Sequence, residues 1–290
     1  MAEWQDGYWG SKDGLRLHYR DYPASPRSRQ LPIICIPGLT RNARDFAELA
    51  DRLAGKRRMI LAELRGRGDS AAAKDPMTYD AKVYLEDIEA LIGQCALDRY
   101  ILFGTSLGGM LSMLITAKHP DQVAGVLLND IGPTIETAGL NRIKTYVGRG
   151  SSFPTWLHAA RGLSEVHRVA YPDFGLDDWL AMAKRLCRLT AAGRIVLDYD
   201  SALAEPLKLP GSELTPDLWP LLDALKPIPS LLTRGKLSDI LSAETADRME
   251  AALPLMERIE LDRVGHTPLL TEPECEAAID RLLARIARAG

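Results

Sequence analysis

Ser106 stands in Gly104-Thr105-Ser106-Leu107-Gly108, after the apolar run Tyr100-Ile101-Leu102-Phe103 and before a run of helical character. A serine on a sharp strand-to-helix turn has its hydroxyl pushed clear of the sheet. The residues two positions either side must then be small enough for strand and helix to approach. Gly104 and Gly108 meet that demand. The turn also sets the Leu107 N–H at a helix start, where it can face developing negative charge. The chemistry this allows is nucleophilic acyl transfer. A glycine-rich turn that merely contains serine reads the same way, so the rest of the chain must supply the partners.

A serine hydroxyl is a poor nucleophile at neutral pH and needs a histidine to take its proton and an acid to orient that histidine. Beyond His119 the downstream histidines are His158, His167 and His266. His266 lies in Val264-Gly265-His266-Thr267-Pro268, between the strand-like Arg258-Ile259-Glu260-Leu261 and a final helix, which puts it at the sheet edge where Ser106 emerges. For the acid, Asp239 follows the strand-like Ser230-Leu231-Leu232-Thr233 and is the first choice on position. Asp130 is its rival, because Asn129-Asp130 ends the preceding strand at the same edge; its other reading is a helix cap or hinge carboxylate. A second oxyanion donor is expected from Pro37-Gly38-Leu39-Thr40, with Leu39 N–H as the candidate beside Leu107 N–H.

These positions require a sheet. Pro32-Ile33-Ile34-Cys35-Ile36 is continuously apolar, as a strand covered on both faces should be, and similar runs return at Met59–Ala62, Tyr100–Phe103, Val123–Leu128 and Ile228–Leu232. Leu15 to Asp21 alternates instead, so the sheet is expected to begin antiparallel and turn parallel. Helical patterns between the runs imply an α/β fold. In the last helix, Thr271 with Glu274 reads as a capping box, and Cys275, Ile279, Leu282, Leu283 and Ile286 share one face. Between residues 132 and 226 the strand signals stop. Short amphipathic helices cut by Pro154, Pro172, Pro206, Pro210 and Pro216 suggest a helical cap inserted into a core of residues 1–131 and 227–290. Its aromatics include Trp156 and Tyr199, which with Arg41 are candidate substrate contacts; each is also an ordinary core or surface residue by type.

Composition narrows the function classes. With 36 basic against 39 acidic residues, interspersed along 290 positions, there is no charge footprint for nucleic acid. No apolar run approaches the roughly 18 residues of a membrane span, and Met1 to Asp6 lacks the features of a secretory signal, so a cytoplasmic location is expected. Cys35, Cys95, Cys187 and Cys275 are far apart and read as buried thiols. The five histidines lack paired metal-ligand spacing, so neither metal nor cofactor is expected.

The chain resembles the α/β-hydrolase superfamily, in its capped bacterial esterase-like branch. The resemblance rests on the Ser106 turn, Gly14-Leu15-Arg16-Leu17-His18-Tyr19, Arg65-Gly66-Arg67-Gly68-Asp69-Ser70 and Gly265-His266-Thr267-Pro268. It implies a triad of Ser106, Asp239 and His266 with backbone donors at Leu39 and Leu107. Two departures are Pro37-Gly38 where many members have His-Gly, and Glu63 where aspartate is usual. Haloalkane dehalogenases and epoxide hydrolases of this fold use aspartate where Ser106 stands, which argues against those activities. The leading expectation is hydrolysis of a small-molecule carboxylic ester or lactone through an acyl-enzyme. The alternatives are carbon–carbon bond hydrolysis of a ring-cleavage diketone, and a non-catalytic ligand-binding protein on the same fold.

Overall fold

A computed structural model of the chain describes residues 2–209 and 217–289. In chain order the strands of the main sheet are β1 (Gln5–Gly10), β2 (Arg16–Tyr22), β3 (Ile33–Ile36), β4 (Met59–Glu63), β5 (Tyr100–Thr105) and β6 (Val123–Asn129). Helices α1 (Ala47–Leu53), α2 (Ala81–Gln94) and α3 (Leu107–Lys118) fall between or beside them. An inserted segment follows, with α4 (Thr137–Tyr146), β7 (Ser152–Phe153), α5 (Trp156–His167), α6 (Leu176–Leu186), β8 (Cys187–Leu189) and β9 (Ile195–Leu197). The chain then returns through β10 (Ser230–Gly235), α7 (Ala243–Ala252), β11 (Met256–Leu261) and α8 (Pro273–Ala289).

The sheet order is β1-β2-β4-β3-β5-β6-β10-β11. β2 pairs antiparallel with both β1 and β4, and every pairing from β4 to β11 is parallel. Strands β3 to β6 are buried throughout, which is why they are written as unbroken apolar runs. Alternate side chains feed two cores: Ile34 and Ile36 pack with α2, α3 and α7, while Ile33 and Cys35 pack with α1 and α8. Each fully buried aliphatic side chain of this kind contributes roughly 1.5–3 kcal/mol. No helix among the described residues is long and apolar enough to cross a membrane.

The structure departs from the sequence reading in three places. Strand β1, at the sheet edge, carries mainly exposed residues with Trp9 as its buried anchor, so it shows no apolar run. The inserted segment is not purely helical, because β7, β9 and β8 form a small antiparallel sheet over a cluster that includes Ala159, Leu163, Trp179 and Met182. Strands of two or three residues are too short to display a period of two. Helix α8 starts at Pro273, a residue suited to the first helical turn, instead of being capped from Thr271. Thr155 does cap α5, directly after Pro154. Pro210 and Pro216 lie outside the described residues.

Candidate active site

Strand β5 delivers Ser106 at a left-handed backbone position, φ 52° and ψ −115°. A non-glycine residue there is strained, and the surroundings must hold it. They do so by close approach. A Cβ at Gly104 would lie 2.3 Å from the Gly108 carbonyl oxygen, and one at Gly108 would lie 1.9 Å from that of Ile36. Ser106 N–H is tied to the Asn129 carbonyl at 3.0 Å, locking the turn to β6. The Leu107 N–H is in the first turn of α3, where no carbonyl four residues back is available to it.

His266 follows β11, and its Nε2 is 2.9 Å from Ser106 Oγ. Its Nδ1 is 2.7 Å from Asp130 Oδ2. A carboxylate accepts only, so Nδ1 carries the ring proton and Nε2 is free to accept from the serine hydroxyl. Asp130, fully buried at the end of β6 with φ 54°, also accepts from Gly235 N–H at 3.0 Å and from Ser238 Oγ–H at 2.6 Å. The expectation that Asp239 would be the acid is therefore corrected. Its carboxylate is held by Arg142 of α4, with Nη2 donating to Oδ1 at 2.8 Å. Burial opposes the Asp239 charge, but Arg142 outweighs it and lowers the pKa. The loop after β10 supplies donors to Asp130; the carboxylate that meets His266 comes from the end of β6.

Several positioning residues escaped the sequence reading. Asn129 donates to Thr105 Oγ1 and to the Pro268 carbonyl, and accepts from Thr233 Oγ1–H at 2.8 Å, so it fastens the histidine loop to β5, β6 and β10. Tyr171, from the inserted segment, donates to the Thr267 carbonyl at 2.7 Å. Buried Arg67 donates through Nε to the Leu39 carbonyl at 2.8 Å, fixing the loop after β3. Asn129 beside the end of a buried strand and Arg67 within Arg65-Gly66-Arg67-Gly68 were visible signals. Tyr171 had none, since its partner lies 96 positions away.

Ser106 and His266 open into a cavity of about 60 Å³ whose other walls include Leu39, Arg41, Tyr146 and His167. An outer chamber of about 370 Å³ shares Thr40, Tyr146, His167 and Leu186 with it and is also walled by Tyr199. Arg41 and Tyr199 thus face the cleft. Trp156 does not line either space. It packs against the core of the inserted segment with Lys184 Nζ 3.7 Å from its ring, which is the cation–π role open to a half-buried indole.

Away from the cleft, folding brings His18, Glu63 and Asp69 within 4.8 Å of one another, a grouping that sequence spacing did not reveal. The ring nitrogens of His18 and the carboxylate of Glu63 are engaged by the protein. His18 Nδ1 is 2.8 Å from Glu63 Oε2 and its Nε2 is 3.0 Å from Asp6 Oδ1, while Glu63 accepts the N–H groups of Ala43 and Asp69. Glu63 in place of aspartate reaches across from β4 to the turn after β3. The cluster is a clamp between β1, β2 and β4.

Residues 33–278 match the profile of the alpha/beta hydrolase family. A 3-hydroxybutyrate-oligomer hydrolase of Cupriavidus necator is 30% identical over 274 residues, covering 89% of each chain. A 2-(acetamidomethylene)succinate hydrolase of Mesorhizobium japonicum is 30% identical over 237 residues, covering 82% of each. The crystal structure of an alpha/beta hydrolase from Novosphingobium aromaticivorans superposes with a TM-score of 0.93 at 52% identity, covering 98% of this chain and 99% of that one. With its parallel sheet, serine turn and returning histidine loop, this chain belongs to the alpha/beta hydrolase family.

Proposed function

We propose that the chain hydrolyses a small-molecule carboxylic ester or lactone through an acyl-enzyme. The observation that carries this reading is the single imidazole of His266 bonded at once to Ser106 Oγ and Asp130 Oδ2. Ser106 Oγ adds to the carbonyl carbon while its proton passes to His266 Nε2. The resulting oxyanion is received by the N–H groups of Leu39 and Leu107. The carbon–oxygen bond to the alcohol then breaks, and that oxygen takes the proton from Nε2. Water, deprotonated by the same nitrogen, adds to the acyl carbon and releases the acid, restoring Ser106. Asp130 holds the tautomer and offsets the imidazolium charge.

Residues 1–131 and 227–290 act as the catalytic core in this reading, with 132–226 as a cap, in a cytoplasmic enzyme without metal or cofactor. A complete serine, histidine and aspartate set favours turnover over mere ligand binding. Carbon–carbon cleavage of a ring-fission diketone uses the same residues, and similarity to a hydrolase named for 2-(acetamidomethylene)succinate keeps a non-ester substrate in the comparison. Side-by-side turnover of an activated ester and such a diketone separates the two. Ser106→Ala is expected to stay folded and lose ester turnover by several orders of magnitude, and a fluorophosphonate should label Ser106 in the native chain. Label on another serine, or near-native turnover by the variant, refutes the proposal.

A further inference from the structure

We propose, building on the ester-hydrolase reading, that the cavity beside Ser106 selects short substrates bearing a carboxylate, with Arg41 as the group that receives it. The walls of this cavity contain Arg41 and no aspartate or glutamate. Its guanidinium is anchored, with Nε donating to Asp45 Oδ2 at 2.5 Å and Nη1 set 3.6 Å from Met182 Sδ. Its Nη2 has no hydrogen-bond partner among the described residues. A planar guanidinium held by one edge presents its remaining donors in a fixed direction, which suits a planar carboxylate. Between protein walls that attraction is screened less than in bulk water.

His167 stands beside it and lines both the inner cavity and the outer chamber. Its ring packs edge-on to Tyr146 with centroids 5.2 Å apart, and its nitrogens have no hydrogen-bond partner among the described residues. Burial, followed by the charges of Arg41, Arg142 and His266, brings its pKa down to about 3. Arg142 is matched by Asp239 and Arg41 only on one edge by Asp45, so Arg41 is the cavity-lining arginine with a donor left over. His167 is then a neutral imidazole that can bond a substrate oxygen without competing for the carboxylate as a base. The outer chamber is walled by Arg142, Arg149 and Glu165; with Arg142 matched by Asp239, one charge of each sign is left there. A volume of about 60 Å³ holds only a few heavy atoms, which places the carboxylate close to the scissile bond.

Monomethyl succinate and dimethyl succinate share a methyl ester and differ by one charge. The native chain should hydrolyse the mono-ester with the higher kcat/KM. Arg41→Gln should lower the ratio of the two kcat/KM values by about 10- to 100-fold, with partial recovery in Arg41→Lys. An unchanged ratio in a folded Arg41→Gln chain overturns the proposal. Losing Arg41 strands the Asp45 carboxylate, and the variant could fail to fold; inhibition of the native chain then decides. Succinate should inhibit at least about tenfold more tightly than succinamide, and equal or weaker inhibition by succinate overturns the proposal. Failure of the parent reading looks different: neither ester is hydrolysed and the fluorophosphonate leaves Ser106 unlabelled.

Discussion

At the scale of single residues, the aspartate that meets His266 is Asp130 and not the positionally favoured Asp239. Loops after β6 and β10 both end beside His266, so chain order could not choose between Asp130 and Asp239. The choice lies in partners far apart in sequence: Gly235 and Ser238 donate to Asp130, and Arg142 occupies Asp239. Asp130→Asn should therefore lower kcat for an activated ester by as much as about 10⁴, because the amide permits the wrong imidazole tautomer. Asp239→Asn should leave kcat within a few-fold, since it disturbs an ion pair to α4. The reverse ranking would place the acid after β10. Ser106 and His266 were legible because small residues and loop position announce them; no local pattern announces which carboxylate a folded histidine will meet.

At the scale of elements, the buried parallel strands were legible because burial on both faces writes them in one apolar alphabet. The strands of the inserted segment were not, being shorter than any pattern. The serine turn was legible through its glycines, and the structure gives their requirement a measure. At Gly108 a methyl group would meet backbone of β3 at 1.9 Å, which cannot rotate away as a side chain could. Gly108→Ala should thus push α3 from β3, destabilising the chain by about 2 kcal/mol or more and displacing the Leu107 N–H along with the helix. Gly10 on edge strand β1 has open space where its Cβ would be. Gly10→Ala should stay within about 0.5 kcal/mol. Urea midpoints of the two variants test the contrast, and equal losses would show that the approach of α3 to β3 is not what the glycine protects.

Over the whole molecule, the inserted segment closes over the sheet edge through ties that cross long stretches of chain. Arg44 donates to Asp198 at 2.6 Å, Asp200 N–H donates to the Gly66 carbonyl at 2.7 Å, and Tyr171 reaches Thr267. The cleft between them half-buries His167, while the clamp on the far strands fully buries His18, and the two titrate in opposite senses. For His18 burial opposes the charge, but Glu63 and Asp6 outweigh it and raise the pKa above the ordinary 6.5. Its stabilisation is complete below about 6.5 and is lost as pH rises through the raised value. For His167 the pKa falls to about 3, so its contribution is complete above about 6.5 and is lost as pH falls toward that value. Measured as urea midpoint against pH, His18→Gln should flatten the alkaline decline of the native curve, and His167→Gln should flatten part of the acid decline. Since carboxylates also titrate on the acid side, the difference between variant and native curves is the informative quantity. A His18→Gln curve parallel to the native one from neutrality upward would mean that the imidazole joining β1, β2 and β4 holds them without a charge.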